Sequence, residues 1–161
     1  MSKLITKIQN RLKEKEIKKT IILPEAEDER VLKAALRVLE DNIINVILVG
    51  DNEKILEDLN NKNINEKDLD IQKYIEEGNL KIYDVEKEET LYNKLSTYLY
   101  DLRKHKGLTL EEAEKLAKDE VYFGILMLKK GLADGLVSGA IHSTKDTLRA
   151  ILQIRGVDKN K

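Results

Sequence analysis

The segment richest in chemistry runs Ser138-Gly139-Ala140-Ile141-His142-Ser143-Thr144, at the junction of a short apolar stretch and a helix. Small residues, hydroxyls and a glycine at such a junction leave backbone N–H groups unpaired, and these donors together with the positive end of the helix dipole favour an anion such as phosphate. The dipole contributes roughly 0.3–1 kcal/mol, and up to about 2 kcal/mol when partly buried. The same residues have a second reading, in which Ser143 caps the helix and Asp146 completes a capping box. Arg149 falls in the second turn of that helix, where a guanidinium can reach back to a phosphate or carboxylate in bidentate fashion. As an isolated arginine it also suits a surface ion pair.

A second cationic group, Arg103-Lys104-His105-Lys106-Gly107, closes an earlier helical segment. Cations complement the negative end of a helix dipole without any ligand, so a functional reading requires Arg103 to turn inward while Lys104 and Lys106 stay solvated. The run Pro24-Glu25-Ala26-Glu27-Asp28-Glu29-Arg30 places carboxylates where a helix begins. Acid–base work there would need a buried, paired carboxylate with a raised pKa. His142, Ser143 and Asp146 are residue types of a hydrolase triad, but adjacent residues point in different directions, and a triad needs the base between nucleophile and acid. Two histidines without cysteine or an HExxH spacing give no zinc signal.

The elements that must position these groups alternate. Thr20–Leu23, stopped by Pro24, and Val46–Val49, stopped by Gly50, are continuous apolar runs of the kind that form strands covered on both faces. Between them Glu27–Glu40 carries Val31, Ala34, Ala35, Val38 and Leu39 at helical spacing, and a connection of that size makes the two strands parallel. Helices are predicted near 2–16, 52–59, 88–104, from Thr109 (with Glu112 as its capping-box partner and Leu110, Ala113, Leu116 and Ala117 inward), over 121–128 and over 144–154. The helix over 121–128 is apolar nearly all round and should be the most buried. Further strands are predicted at 80–85 and 136–137, and the polar stretch 60–70 as a surface excursion that buries little. The fold class is therefore α/β, a doubly wound, mostly parallel sheet with helices on both faces. In such sheets ligands gather beyond the carboxyl ends of the strands, which is where the candidate segments lie.

Composition narrows the partners. The chain has 161 residues, 29 Lys+Arg against 30 Asp+Glu, one Pro and no Cys. A single domain of this length buries roughly 70% of the surface of its unfolded chain and needs no disulfide or metal to fold. Without cysteine there is no disulfide, no thiolate zinc site and no cysteine nucleophile. A net charge of -1 gives no global field for nucleic acid or an anionic membrane. No apolar stretch has the length of a membrane span, so a cytoplasmic location is expected, with neither membrane nor nucleic acid as partner.

Four segments carry a resemblance to a known family: Thr20–Ala35 (TIILPEAEDERVLKAA), Asn45–Asn52 (NVILVGDN), Leu102–Ala113 (LRKHKGLTLEEA) and Asp119–Gln153 (DEVYFGILMLKKGLADGLVSGAIHSTKDTLRAILQ). In order and spacing they resemble phosphate acetyltransferase, also called phosphotransacetylase, across roughly residues 1 to 154. The resemblance implies reversible transfer of an acetyl group between coenzyme A and inorganic phosphate, with the coenzyme thiolate attacking the acetyl carbonyl directly. It implies no permanently bound cofactor, with acetyl-CoA, coenzyme A, phosphate and acetyl phosphate as small-molecule substrates. It further implies the first domain of a two-domain fold related to isocitrate and isopropylmalate dehydrogenases, with the active site between domains and a dimer as the common assembly.

By the same resemblance Arg103 and Arg149 fall on family arginines that bind phosphate or the coenzyme A and acetyl phosphate substrates. Ser138, Gly139, His142, Ser143 and Thr144 fall on the phosphate-side loop. Full-length family members continue for about as many residues again after Ile154, whereas this chain carries a divergent stretch over 155–161. The second domain, with the serine, arginine and aspartate of the family's chemistry, is thus expected to lie outside this sequence, leaving the isolated chain inactive or dependent on a missing C-terminal half. An uncovered sheet edge or apolar helix face that invites self-association is also expected. Two other readings stay open at this point: a non-catalytic domain that binds an anion or a partner through Ser138–Arg149, and an acyltransferase of the butyryl type.

Overall fold

Four strands, Thr20–Leu23 (β1), Asn45–Val49 (β2), Leu80–Tyr83 (β3) and Gly135–Leu136 (β4), form one parallel sheet in the order β3-β2-β1-β4. The computed structural model describes residues 3–13 and 18–155. The two apolar runs of the sequence are the two central strands, paired in parallel register from Thr20 opposite Asn45 to Leu23 opposite Leu48. Their alternation splits the core. Val46 and Leu48 of β2 point to one face with Leu80, while Ile47 and Val49 point to the other with Ile22 of β1.

The first face is covered by Glu29–Glu40 (α2), Asn52–Asn60 (α3) and Ile71–Glu76 (α4). Asp28, Asp51 and Asp70 cap these helices, each carboxylate accepting a backbone N–H of the first turn. The buried stripe of α2 is Leu32, Ala35, Leu36 and Leu39, so Ala34, expected inside, faces solvent and Val31 and Val38 are only half-buried. The short α4 escapes the sequence reading because six residues hold too little periodicity to mark it. The stretch 60–70 also does more than expected: Asn65 is buried, its side chain exchanging hydrogen bonds with the backbone N–H and C=O of Leu69.

The second face carries Glu89–Arg103 (α5), Leu110–Ala117 (α6), Glu120–Lys129 (α7) and Thr144–Arg155 (α8). A single tight turn over 104–106 follows α5 and ends at Gly107 in the left-handed conformation. Thr109 and Glu112 form the expected capping box at the start of α6, but Leu110 is exposed because the helix buries only Ala113 and Ala117 against its neighbours. α7 lies deepest, buried from Val121 to Met127. Gly124 is what lets it settle on the sheet: a Cβ there would stand 3.0 Å from Leu136 and 3.2 Å from Ile22. The helix expected over 2–16 is described as Lys3–Lys13 (α1), and the remainder of that expectation lies outside the described residues, as does 156–161.

β4 is the shortest strand. It pairs with β1 through Ile21 opposite Gly135 and Ile22 opposite Leu136, and Val137, expected within it, is 63% exposed. The chain enters β1 and leaves to the α2 face, but leaves β4 to the α8 face. The neighbouring ends of β1 and β4 are thus the point where the winding reverses, the crevice where open α/β sheets gather ligands.

Candidate functional site

Two segments meet at that crevice. Pro24 ends β1, and Glu25 follows it into the gap beside the turn that leaves β4. Gly139, with a φ of 117°, opens this turn in a conformation side chains resist, so that successive N–H groups face one point. Glu25 fills that point. Its Oε2 accepts the N–H of Gly139 at 2.7 Å and of Ala140 at 2.8 Å, and its Oε1 accepts those of Ile141 at 2.9 Å and His142 at 2.7 Å. The His142 Nδ1 stands 3.1 Å from the same Oε1, and its Nε2 faces Asp119 at 3.7 Å.

Glu25 is 2% exposed. Burial alone would raise its pKa, but the four backbone N–H groups together outweigh it and hold the carboxyl at about 2. This bears on two readings of the sequence. The N–H groups of Gly139, Ala140, Ile141 and His142, within the turn read as a phosphate loop or a helix cap, hold a carboxylate from the same chain. Glu25 is buried and fully bonded, yet its pKa moves away from the range a general base needs. Arg30 binds the turn from its other side: paired with Asp28, its guanidinium donates to the Ala140 carbonyl at 2.9 Å.

The remaining residues of the turn fall to local structure. Ser143 Oγ accepts the Asp146 N–H and donates to its carboxylate at 2.6 Å, the helix-capping arrangement. His142 faces Glu25 and Asp119 while Ser143 faces Asp146, so no triad assembles. Thr144 is exposed, and Ser138 Oγ is buried with no hydrogen-bond partner among the described residues, as is Thr147 Oγ1.

The two arginines do converge. Arg103, at the end of α5, and Arg149, on α8, line one open groove with Lys145, Leu148, Leu152 and Gln153. Of the cationic cluster only Arg103 is half-buried; Lys104, His105 and Lys106 are exposed, and Lys104 pairs with Asp101. Among the described residues no carboxylate lies within ion-pair distance of Arg103, Lys145 or Arg149, in contrast to the pairing of Lys19, Arg30, Lys33, Lys67 and Lys87. At the inner side of α8 the Tyr122 hydroxyl donates to Gln153 at 2.8 Å. Burial pushes the Tyr122 phenol up, and the fields of Arg149 and Arg103 pull it the other way. Leu148 and Leu152, 50% and 51% exposed, add an apolar strip to the same groove. Such a groove suits a ligand with anionic and apolar parts.

The sequence reading missed Lys145 and Glu120. Lys145 follows Thr144 at helical spacing from Arg149, which is a usable signal. Glu120, the first residue of α7, has none: its carboxyl is pushed up to about 7 by burial and by Glu27, Asp119 and Asp84, against the pull of His142. Those neighbours come from four separate segments. Among the described residues no group of three or more His, Asp or Glu side chains is placed to hold a metal ion. Among them also no helix is long and apolar enough to cross a membrane.

Residues 3–160 match the family described as phosphate acetyl/butaryl transferase. The chain is 46% identical over 142 residues to the phosphate acetyltransferase of Thermoanaerobacterium thermosaccharolyticum, covering 88% of this chain and 39% of that protein. It is 37% identical over 154 residues to the phosphate acetyltransferase of Bacillus subtilis, covering 96% of this chain and 43% of the relative. Among solved structures, a phosphotransacetylase from Streptococcus pyogenes superposes with a TM-score of 0.75 at 36% identity, over 96% of this chain and 43% of the other. The chain therefore spans about two fifths of the length of the relatives it matches.

Proposed function

Because this chain belongs to the phosphate acetyl/butaryl transferase family, we propose that it supplies the anion-binding part of an acyltransferase moving an acetyl group reversibly between coenzyme A and inorganic phosphate. The observation that carries the reading is the convergence of Arg103 and Arg149, distant in sequence, on one groove without a carboxylate to neutralise them. Phosphate and acetyl phosphate are anions of the right size for two guanidinium forks, and the exposed Leu148 and Leu152 offer apolar surface to the uncharged part of a larger substrate. In the forward direction a phosphate oxygen forms a bond to the acetyl carbon as its bond to the coenzyme sulfur breaks. In reverse the thiolate attacks and phosphate leaves with the electron pair. The guanidinium groups would hold the phosphoryl charge in both directions.

In this reading the described fold is the first domain of an arrangement related to isocitrate and isopropylmalate dehydrogenases, taken to span residues 1–154. Coenzyme A is a substrate rather than a resident cofactor, a homodimer or a separate C-terminal half is the partner, and the location is cytoplasmic. The groove opens outward from α8, where a second domain would complete the site.

Acetyl phosphate formation from acetyl-CoA and phosphate, measured on this chain with and without the C-terminal half of a relative, tests the reading. Turnover that appears with the added half and falls at least tenfold in Arg103→Ala and Arg149→Ala supports it. Turnover indifferent to both substitutions, or none in either mixture, overturns it.

A further inference from the structure

We propose that Glu25, assisted by Arg30, is the positioning residue of the arginine groove: by binding four successive N–H groups of the turn after β4 it fixes where α8 begins, and so where Arg149 stands opposite Arg103. This rests on the groove being the anion site of the preceding section.

The need for such a residue follows from where α8 is otherwise tied: the Tyr122–Gln153 hydrogen bond holds its C-terminal half, and the Val137 N–H bond to the Ile22 carbonyl ends before the turn. The strand that leads into it pairs with β1 through only two register positions. The helix itself presents one buried edge, Ala150 and Ile154, to its neighbours on α7 and α5, while Leu148 and Leu152 remain outside. Buried apolar contact is non-directional and tolerates sliding. Four hydrogen bonds to consecutive residues do not. They specify both carboxylate oxygens, at 2.7 to 2.9 Å, and end at His142, just before the Ser143 cap. Glu25 is itself held, because Pro24 fixes the backbone before it and Ala26 after it is fully buried. Arg30 adds a bond to the Ala140 carbonyl, so both polar edges of the turn are bound by residues that follow β1.

The site thereby uses two of the motifs that carry the family resemblance. PEAEDER is the clamp and SGAIHS the turn it clamps. Glutamine has the right shape but the wrong chemistry, since its NH2 would face N–H donors. Aspartate keeps the charge and falls one methylene short.

The test uses the complete chain and inorganic phosphate, followed by NMR at the Arg103 and Arg149 side-chain N–H groups and at the amides of 145–153. Glu25→Gln should bind phosphate about tenfold more weakly than the native chain, with fast exchange of the amides of 139–142 and weakened NOEs between the Tyr122 ring and the Gln153 side chain. Glu25→Asp should fall between. In Glu25→Ala, acetate at tens of millimolar should restore slow exchange of the turn amides and the Tyr122–Gln153 NOEs, whereas neutral acetamide should not. Asp70→Ala, which weakens the cap of α4 on the opposite face of the sheet, should leave phosphate affinity unchanged and so separate positioning from general destabilisation. Native phosphate affinity in Glu25→Gln, or equal response of Glu25→Ala to acetate and acetamide, overturns the proposal. If Glu25→Ala does not fold, Glu25→Gln and Glu25→Asp decide by the same readings. A native chain that does not bind phosphate removes the groove reading, while the amide exchange, the NOEs and the acetate response still decide whether Glu25 sets α8.

Discussion

Two electropositive places lie against α8, and they are finished differently. At its N-terminal turn, four backbone N–H groups converge and Glu25 fills them from within the chain. Along its outer side Arg103, Lys145 and Arg149 converge, and no carboxylate of the described residues answers them. The first place is closed within the chain; in our proposal the second is where an outside anion binds. Donors fixed in the backbone and partly buried are costly to leave empty, and Glu25 supplies their anion. Guanidinium groups at the surface are solvated and can wait for one.

The largest effect that would sharpen this contrast is on stability. Glu25→Ala should lose about 3–5 kcal/mol in urea unfolding, as expected for removing one partner of a buried charged network. Arg149→Ala should stay within about 0.5 kcal/mol of native, as surface substitutions do. Similar losses in both would break the comparison.

Next in size is binding. Arg103→Ala and Arg149→Ala should each weaken phosphate by at least tenfold, consistent with about 1.5–3 kcal/mol for a hydrogen bond to a charged group, and the native affinity should fall as salt is added. Chemical-shift titration reads both. Phosphate perturbing the amides of 139–142 as strongly as those of 145–153 would contradict the assignment of the turn to Glu25.

The pH dependence of stability separates Glu25 from Glu120. Folded Glu25 gives up its proton near pH 2, against 4.5 for an ordinary glutamate, so between these values unfolding takes up a proton and stability rises with pH. Its contribution is complete above about 4.5 and is lost as the pH falls towards 2. Glu120, protonated up to about 7, has the opposite sign: the folded chain holds the extra proton, and stability falls as pH rises from 4.5 to 7. Urea midpoints across this range should show both slopes, the second absent in Glu120→Gln.

The smallest effect concerns Ser143. Removing its hydroxyl should cost about 1 kcal/mol, the usual loss for a helix cap, without changing phosphate affinity. A weakened phosphate titration in Ser143→Ala would return that residue to the binding site.

Much of the architecture could be read in one dimension because its signals are local. The apolar runs at Thr20–Leu23 and Val46–Val49, the Thr109–Glu112 capping box and the all-round apolar stretch of α7 each state their structure within a few residues. Pairing along a strand and capping of a helix depend on neighbours in the chain. Ala34 and Leu110 were misplaced because a helix's apolar residues outnumber those its neighbours can cover. The two arginines, and their meeting in one pocket, are expectations the family resemblance carries; that their groove is lined by Lys145 and α8 rather than by the turn over 138–144 is not legible in the sequence.

What the sequence determined by itself, then, is the α/β pattern, the parallel pairing of its first two strands and the residue types able to meet an anion. What only the tertiary structure decided is which of these groups already hold a carboxylate of the chain itself and which do not. The order β3-β2-β1-β4 sets the end of β1 beside the end of β4, and that adjacency carries Glu25 to a turn more than a hundred residues later in the chain. Hydrogen bonding acts over about 3 Å of space whatever the separation along the chain, so a turn whose sequence suits a phosphate or a helix cap receives a carboxylate of its own chain in the fold.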